Sequence, residues 1–468
     1  MKKLLLAFVL GSCVTAFAQD GTWDSTFNIG TGANAPVNGI EVLADGKIII
    51  AGQFEQYNGV TVNGLARLNA NGDLDTSFTS PATAQNIFRT LIEADGKIVY
   101  ASGYPGSQLY RLNADGSADA TFTPPVFSFD GEIMTISKQG DKYIVSGYFN
   151  IVGTVGQLSG IVRLNANGTL DETFAPFALY SQNTAYAFTL VLPDGKIIAT
   201  GNFNWYGDTP VVNLIRLNAD GTLDTTFIAG TGIQGSVRAL AVQPDGKIIL
   251  AGSIASINNT PRNLIARLNA DGSVDQSFVP PSGDGVSAFD VIVQPDGRII
   301  VAGNFYDSEV IFGEDDDSVP VYIKRYNANG TIDTTFLSEE SVSNQVWSID
   351  LQDDGKLLAG GWFTSINGVE KNRLARLNNT LLSVKDNQLS SISIYPNPVT
   401  DKLTIDTAAF TSATAKITIY DVTGKTIYNT EQAIAGSIVV DMATYNTGLY
   451  LINITAGNKT LTQKVVKN

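Results

Sequence analysis

Hydrophobic and polar positions follow one pattern that recurs along most of the chain. In one copy, residues 236–243 alternate apolar and polar side chains, which is typical of a strand buried on one face. A Pro-Asp-Gly turn follows, and residues 248–252 form a continuous apolar run that predicts a strand buried on both faces. An Asn-x-Asp-Gly turn then divides residues 263–278 into two further segments. The pattern predicts four antiparallel strands in about 50 residues.

Four markers of this unit recur through the chain with a period of about 50 residues. An Asp-x-x-Phe motif ends at Phe27, Phe78, Phe122, Phe174, Phe227, Phe278 and Phe336. An Asp-Gly-Lys or Asp-Gly-Arg turn begins at Asp45, Asp95, Asp194, Asp245, Asp296 and Asp354, with a degenerate copy at Gly140-Asp141-Lys142. An arginine opens the third-strand motif at Arg67, Arg111, Arg163, Arg216, Arg267, Arg325 and Arg376. A glycine that indicates a close backbone approach ends the second strand at Gly52, Gly103, Gly147, Gly201, Gly252, Gly303 and Gly361. Seven such units predict a seven-bladed β-propeller.

The register of the last hairpin in each unit predicts how the propeller closes. If the Asn-x-Asp-Gly turn is the loop, Arg267 faces Asp275, and the same spacing of eight residues occurs in five other units. Arg376 has no aspartate at that spacing, whereas Asp24 has no arginine before it. We therefore predict that the N-terminal strand around Asp24 completes the last blade beside Arg376 and leaves no exposed sheet edge.

The repeats resemble the delta-60 repeat family, a bacterial β-propeller repeat. The resemblance is carried by PDGKIILAGSI…NLIARLNADGSVDQSF at residues 244–278, and it covers roughly residues 22–380. It implies a propeller fold without implying an established enzymatic activity.

A different pattern begins near residue 391, after a polar linker at residues 383–390. About seven short alternating strands in residues 391–468 predict a small Ig-like β-sandwich. This block resembles the C-terminal sorting domain (type A) of the type IX secretion system through the motifs YPNP, IYDVTGK, GLYLINI and the terminal KVVKN. The motif residues are Tyr395, Pro396, Asn397, Pro398, Gly424, Lys425, Gly448, Tyr450 and Lys464. The resemblance implies that the type IX machinery of a Gram-negative bacterium is a partner, and that the protein is released or attached to the outer-membrane surface. A carbohydrate-binding sandwich fused to a propeller is the alternative.

The N-terminus predicts export across the inner membrane. Lys2 and Lys3 precede an apolar stretch at residues 4–10, and a small-x-small site places signal-peptide cleavage between Ala18 and Gln19. The apolar stretch is too short for a transmembrane anchor, so we expect no transmembrane helix in the mature chain. A lipoprotein signal is the alternative, in which Cys13 would be lipidated. The predicted domains are therefore a signal peptide at 1–18, a propeller at 19–382, the linker, and the sorting domain.

Composition narrows the classes of function. The chain has 30 Lys and Arg, 45 Asp and Glu, and a net charge of −15, which argues against nucleic acid as a partner. It has no His, which excludes a Ser-His-Asp triad, an imidazole base and any His-ligated zinc. Catalysis would need a carboxylate pair, tyrosine or lysine.

The variable loops are the predicted binding surface. In a four-stranded blade the near-identical tight turns lie at one end and the variable connections at the other, and binding surfaces are usually loops on a rigid scaffold. Aromatic residues in these loops suit stacking on sugars or a protein hot spot, although they could instead pack over the blade ends. The candidates are Tyr57, Tyr148, Trp205, Tyr206, Tyr306 and Trp362. We predict a secreted binding or adhesion protein for a glycan or a protein. The alternatives are a glycan-processing hydrolase or lyase and a structural surface protein.

No cofactor is predicted, and calcium is left open at one place. The repeated Asn-x-Asp-Gly turns resemble fragments of a calcium loop, but a feature of every blade indicates a structural turn. The acidic run Glu314, Asp315, Asp316 and Asp317 occurs once and is the candidate metal site.

Overall fold

The structure is a computed structural model that describes residues 19–79, 86–103, 106–128, 131–152, 159–174, 179–180, 186–281, 285–305, 321–336, 342–366, 368–380, 394–406, 414–421, 425–433, 437–456 and 459–468. The signal peptide with Cys13 and Ala18, the linker, Tyr306, the acidic run at 314–317 and Gly424 lie outside these residues. The chain divides into two units, Met1–Leu381 and Leu382–Asn468, and each is described by itself.

The first unit contains seven antiparallel sheets, each built on three consecutive strands in the order first, second, third. The first strands are Val37–Val42, Arg89–Ile92, Glu132–Gln139, Tyr186–Val191, Ile233–Val242, Gly285–Val293 and Val346–Leu351. The second strands are Ile48–Gly52, Ile98–Ala101, Lys142–Asn150, Ile197–Asn202, Ile248–Ile257, Ile299–Phe305 and Leu357–Gly361. The third strands are Leu65–Leu68, Leu109–Leu112, Ser159–Leu164, Leu214–Leu217, Ile265–Leu268, Val321–Tyr326 and Leu374–Leu377. The second strands are the apolar runs of the sequence, and nearly all of their residues are buried between neighbouring sheets.

Short strands occur in the variable connections. Among the described residues, seven lie between a second and a third strand: Gln56–Tyr57, Val60–Thr61, Trp205–Tyr206, Thr209–Pro210, Thr260–Pro261, Ser365–Ile366 and Val369–Glu370. Leu179–Tyr180 instead lies between the third strand of the third sheet and the first strand of the fourth, and it pairs with Trp205–Tyr206. The sequences of these connections differ from one unit to the next, as expected for the variable loops.

The seven sheets form a ring around a central channel. The first strand of each sheet packs against the first strand of the next, and Val346–Leu351 of the seventh sheet packs against Val37–Val42 of the first. Side chains also join neighbouring strands: the Ser348 hydroxyl accepts a hydrogen bond from the Ile40 amide at 3.1 Å. The first strands are therefore the innermost, and the unit is an all-β propeller.

The fourth strand of each unit is shorter than predicted. In the fifth sheet it consists of one bridge, between Leu268 and Val274, and a hydrogen bond from the Asp275 amide to the Arg267 carbonyl at 2.9 Å. Pairing stops there because the Asp275 carboxylate accepts hydrogen bonds from the Ser277 amide and hydroxyl, which curls the chain into a turn. This turn directs Phe278 into the core instead of along the sheet edge.

Three of the sequence markers meet in one buried polar unit. Arg267 Nε and Lys247 Nζ contact Asp275 Oδ2 at 2.8 and 2.9 Å, and the Arg267 guanidinium lies 4.7 Å from the Phe278 ring centroid. Burial acts to raise the pKa of Asp275, but hydrogen bonds from Ser277, Lys247 and Arg267 outweigh it and hold that pKa well below its ordinary value. The turn lysine, the arginine and the Asp-x-x-Phe motif thus recur together because they build one structural unit.

The N-terminal segment makes the same contacts with the seventh sheet. Trp23 forms an antiparallel bridge with Leu377, and Asp24 Oδ2 lies 2.8 Å from Arg376 Nε and 2.7 Å from Lys356 Nζ. The Arg376 guanidinium lies 4.7 Å from the ring centroid of Phe27, which is buried. Whether this segment holds the ring closed is a question of stability, and its test is described in the Discussion.

The second unit contains two antiparallel sheets that share one apolar core. One sheet comprises Ile394–Tyr395, Lys402–Asp406 and Ser437–Asp441, and the other comprises Thr414–Tyr420, Thr426–Ala433, Gly448–Ala456 and Lys459–Lys467. Alternate residues of these strands point into the core, as the period-two pattern predicts. In neither unit do the described residues include a helix long and apolar enough to cross a membrane.

Candidate ligand-binding site

Two of the predicted loop aromatics are core residues. Tyr57 is 1% exposed and Tyr206 is 3% exposed, so the prediction that they contact ligand from the surface is wrong. Each hydroxyl donates a hydrogen bond to a turn glycine of its own unit, at 2.7 Å from Tyr57 Oη to the Gly72 carbonyl. Both lie five residues after the glycine that ends the second strand, a position that buried Ile257 and Ile366 occupy in other units.

The other described aromatic candidates keep some exposure. Trp205 and Trp362 are each 42% exposed, and Tyr148 is half-buried. Trp205 lies on an outer hairpin, paired with Pro210. Trp362 follows the end of its second strand and contacts Trp347, with 5.6 Å between the ring centroids. Tyr148 lies opposite Glu132 of the adjacent first strand.

Both Trp347 and Glu132 line a cavity of about 490 Å³ at the mouth of the central channel. The mouth is built by one residue in or just before the first strand of each sheet, directly after a buried apolar residue. We call these seven residues the rim: Asn38, Phe88, Met134, Phe188, Arg238, Phe289 and Trp347. The inner strands begin at the end of the propeller that carries the variable connections, so the rim lies at that end.

A β-bulge aims the rim side chains in five of the seven sheets. In the first sheet Val37 pairs with Gly52 and Gly39 pairs with Ala51, which leaves Asn38 as the extra residue. The same irregularity occurs before Thr135, Ala239, Asp290 and Ser348 in four other sheets.

The recurring glycine lies directly against the first strand near this point. A Cβ built on Gly52 would lie 2.1 Å from the Pro36 carbonyl oxygen, and one on Gly252 would lie 2.1 Å from the Ser236 carbonyl oxygen. The close backbone approach predicted from the sequence is therefore present. Any larger residue would displace the strand that carries the rim.

The rim combines aromatic rings with positive charge. The Arg238 guanidinium is exposed and lies 5.6 Å from the Phe289 ring centroid. Arg89, the next residue after Phe88, is half-buried and donates hydrogen bonds to the carbonyls of Phe88 and Met134. Glu132 is the one carboxylate that lines the same cavity, so the mouth carries two cations and one anion.

Acidic side chains line the deeper channel, a second cavity of about 370 Å³. Asp290 Oδ2 accepts a hydrogen bond from the Ile349 amide at 2.9 Å, and Asp350 Oδ2 accepts one from the Val42 amide at 2.7 Å. These bonds join the inner strands of successive sheets, so both carboxylates have structural roles. Burial raises the pKa of Asp290 to about 6, and it also raises the pKa of Asp350.

Glu41 is the third acid of the deeper channel. Burial, together with the nearby charges of Asp350 and Asp290, raises its pKa to about 8. At neutral pH Glu41 is therefore largely protonated, and it can donate a hydrogen bond.

The opposite end of the propeller carries the Asn-x-Asp-Gly turns. The Asp271 carboxylate accepts hydrogen bonds from the Ser273 amide at 2.9 Å and the Ser273 hydroxyl at 2.7 Å. These bonds within the turn account for the repeated aspartate in structural terms.

The motif residues of the second unit occupy its strands and turns. Tyr395 is 52% exposed, Tyr450 is buried with its hydroxyl 2.7 Å from the Asn446 carbonyl, and Asn397 Oδ1 accepts the Val466 amide at 2.9 Å. Pro396, Pro398 and Lys425 are in turns or loops, Gly448 begins a strand, and Lys464 is in the last strand.

Sequence reasoning missed the rim, although the repeats contained a signal for it. Counted back from the aspartate of the Asp-Gly-Lys turn, the rim position lies seven residues upstream in six units and six residues upstream in the fourth. It holds Asn, Phe, Met, Phe, Arg, Phe and Trp, while the residue before it is always aliphatic. A position that varies chemically inside a strict repeat is typical of a binding surface on a fixed scaffold.

The geometry defines a class: a β-propeller whose channel mouth is lined by aromatic and charged side chains, followed along the chain by a second all-β unit of two sheets. Residues 393–468 match the model for a secretion system C-terminal sorting domain. This match indicates type IX secretion, with release or attachment at the outer-membrane surface. Seven segments match the model for a domain of unknown function (DUF5122) beta-propeller: residues 43–78, 93–122, 139–174, 192–227, 243–278, 294–336 and 352–380.

These seven segments together cover more than half of the chain, which belongs to the DUF5122 beta-propeller family. Both resemblances noted in the sequence are confirmed.

Comparison with individual proteins says less about this chain than the two family models do. An ulvan lyase, NLR42 of Nonlabens ulvanivorans, is 24% identical over 153 residues, which are 30% of this chain and 28% of the lyase. The chain therefore matches less than a third of that relative's length. A crystal structure of the extracellular domain of a hybrid two-component system from B. thetaiotaomicron aligns over 92% of this chain and 68% of its own, with 11% identity and a TM-score of 0.26. A score this low carries no argument about fold or function.

Proposed function

We propose that this protein is an extracellular binding protein whose ligand, a glycan or a protein, docks at the mouth of the propeller channel. The observation that carries the proposal is the rim, where seven sheets each contribute one side chain to a single cavity and the seven side chains are of five types. Residues around the rim repeat because they build the scaffold. The rim residues differ because no scaffold requirement makes them alike.

The size and chemistry of the mouth support binding. Its volume of about 490 Å³ is within the usual range for ligand pockets, about 300–1,000 Å³. Phe88, Phe289 and Trp347 are half-buried, so each ring has a face to stack on a sugar or a side chain. Trp362 extends this aromatic surface through its contact with Trp347. Among the predicted loop aromatics that the structure describes, Trp362 and Tyr148 are the two that lie next to mouth residues, Trp347 and Glu132 respectively.

The distant likeness to an ulvan lyase makes glycan processing the second candidate function, but two of the channel carboxylates favour binding. Asp290 and Asp350 accept hydrogen bonds from backbone amides of neighbouring strands. These bonds give both carboxylates structural roles, so we assign neither of them to catalysis.

The test compares three tryptophans in the secreted mature protein, of which Trp362 and Trp205 are equally exposed. Trp362→Ala removes a ring beside the mouth, Trp347→Ala removes a rim residue, and Trp205→Ala removes a ring from an outer hairpin. Binding is measured on a glycan array and by pull-down of extracellular material, and products are analysed for new reducing or unsaturated ends.

We expect Trp347→Ala to weaken binding at least about tenfold, or about 1.4 kcal/mol, and Trp205→Ala to leave it within about twofold. Equal losses in both variants would place the site elsewhere. Product formation by the parent protein would establish an enzyme, and the absence of any ligand would favour a structural surface protein.

A further inference from the structure

The mouth contains one exposed cation that the fold does not use. Among the described residues Arg238 forms no ion pair, and its described contact is the face of Phe289. The arginines of the repeat differ in this respect, because each forms an ion pair with an aspartate, as Arg267 does with Asp275 while it also donates to the Ala328 carbonyl. A planar guanidinium that is held over an aromatic ring and has free N–H groups is suited to bind a carboxylate or a sulfate.

A second, independent feature of the mouth is a buried acceptor with no donor. Asn38 is 4% exposed, and its Nδ2 donates to the Ile87 carbonyl at 2.9 Å, which fixes the orientation of the amide. Its Oδ1 has no hydrogen-bond partner in the structure. Asn38 lines both the mouth and the deeper channel, so a ligand hydroxyl in either place could supply the missing hydrogen bond.

The charges around the mouth favour an anionic group there. Arg89 and Arg238 line both the mouth and the deeper cavity, whereas Asp290 and Asp350 line the deeper cavity alone. An anionic group is therefore attracted to the two arginines at the mouth and repelled by the two carboxylates below it.

We infer that the ligand is an anionic saccharide, with its carboxylate or sulfate on Arg238, a sugar ring against the rim aromatics, and a hydroxyl donated to Asn38 Oδ1. This inference rests on the proposed function and specifies its ligand class. The two anionic groups share one chemistry, and the probes below separate them.

The experiment is calorimetric titration of the secreted mature protein with three probes: a galacturonate trisaccharide, a sulfated galactose trisaccharide and a neutral galactose trisaccharide. The test variant is Arg238→Gln. Its matched control is Arg262→Gln, which removes an arginine from the same sheet but outside both cavities. Arg238→Lys keeps the charge without the planar fork, and Asn38→Leu removes the unpaired acceptor.

We expect at least one anionic probe to bind at least about tenfold more tightly than the neutral probe, with a preference that falls as salt increases. Arg238→Gln should remove that preference, Arg238→Lys should restore part of it, and Arg262→Gln should change affinity by less than about twofold. Binding of only the galacturonate identifies a carboxylate ligand, and binding of only the sulfated probe identifies a sulfate ligand. Asn38→Leu should weaken all saccharides that bind, and unchanged melting of Arg238→Gln would exclude a folding defect.

The inference is overturned if no anionic probe binds, if the neutral probe binds equally well, or if Arg238→Gln retains the preference. If a ligand binds Arg238→Gln normally but no longer binds Trp347→Ala, the inference about ligand class fails and the proposed function stands. Both fail if anionic probes bind and Trp347→Ala has no effect.

Discussion

The contacts of the N-terminal segment predict that Phe27 contributes to stability as much as a phenylalanine inside the repeats. Phe27 is 1% exposed and Phe278 is 0% exposed, and each ring lies 4.7 Å from the guanidinium of its arginine. Truncating a buried phenylalanine to alanine costs about 3–5 kcal/mol. We therefore expect Phe27→Ala and Phe278→Ala to destabilise the propeller by similar amounts, within about 1 kcal/mol of each other.

Chemical denaturation of the secreted mature protein, followed by tryptophan fluorescence, measures both variants against the parent. Ile228→Ala is the control, because Ile228 is 51% exposed and follows an equivalent phenylalanine, and its cost should be below about 0.5 kcal/mol. If Phe27→Ala behaves like this control while Phe278→Ala costs its full amount, the N-terminal segment does not hold the seventh sheet and the closure argument is refuted.

The same segment predicts an order of costs. Asp24→Asn removes a carboxylate that accepts hydrogen bonds from Arg376, Lys356 and Thr26, so its cost of about 1–3 kcal/mol should exceed that of an exposed ion pair. Deleting residues 19–28 should cost more, and it should promote aggregation because it uncovers the edge of the seventh sheet. Equal stability of the deletion and Asp24→Asn would contradict this order.

Three other predictions address the channel, the loops and export. Because the pKa of Glu41 is raised to about 8, the native state keeps a proton that the unfolded state releases near pH 4.5, so stability should fall as pH rises through this window. Glu41→Gln should flatten that fall in pH-dependent denaturation, and an unchanged profile would show that Glu41 does not cause it. Tyr57→Phe should lower the free energy of unfolding by about 1–3 kcal/mol, because it leaves the buried Gly72 carbonyl without its hydrogen bond. Ligand affinity should stay within about twofold. A loss of binding without destabilisation would instead make Tyr57 a ligand contact. Intact-mass measurement of secreted protein should find Gln19 as the first residue and should find much of the population without the C-terminal module. A lipidated Cys13 at the N-terminus would contradict the first expectation. Retention of Asn468 in all of the secreted protein would contradict the second.

The repeat number and the export module could be read from the sequence because their signals are local. Asp275, Arg267 and Phe278 lie within 12 residues, so the turn and strand pairing that bring them together leave a fixed spacing in every unit. The pairing of Trp23 with Leu377 joins the two ends of the repeat region. It too could be inferred from the sequence, because Arg376 has no aspartate eight residues later and Asp24 has no arginine before it.

The binding surface depended on information that no local pattern carries. Tyr57 and Trp362 are both aromatic residues of variable connections, but Tyr57 folds back onto its own turn whereas Trp362 contacts Trp347. Asn38 and Arg238 are far apart in sequence. Both line one cavity because the ring brings the first strand of every sheet to the central channel. At Asn38 and Arg238 a bulge of one residue also changes the alternation along the first strand, which the period-two pattern of the sequence does not show. The sequence by itself determined the repeat and its polar framework, since those arise from short-range spacing, and the tertiary structure alone decided which side chains share the mouth.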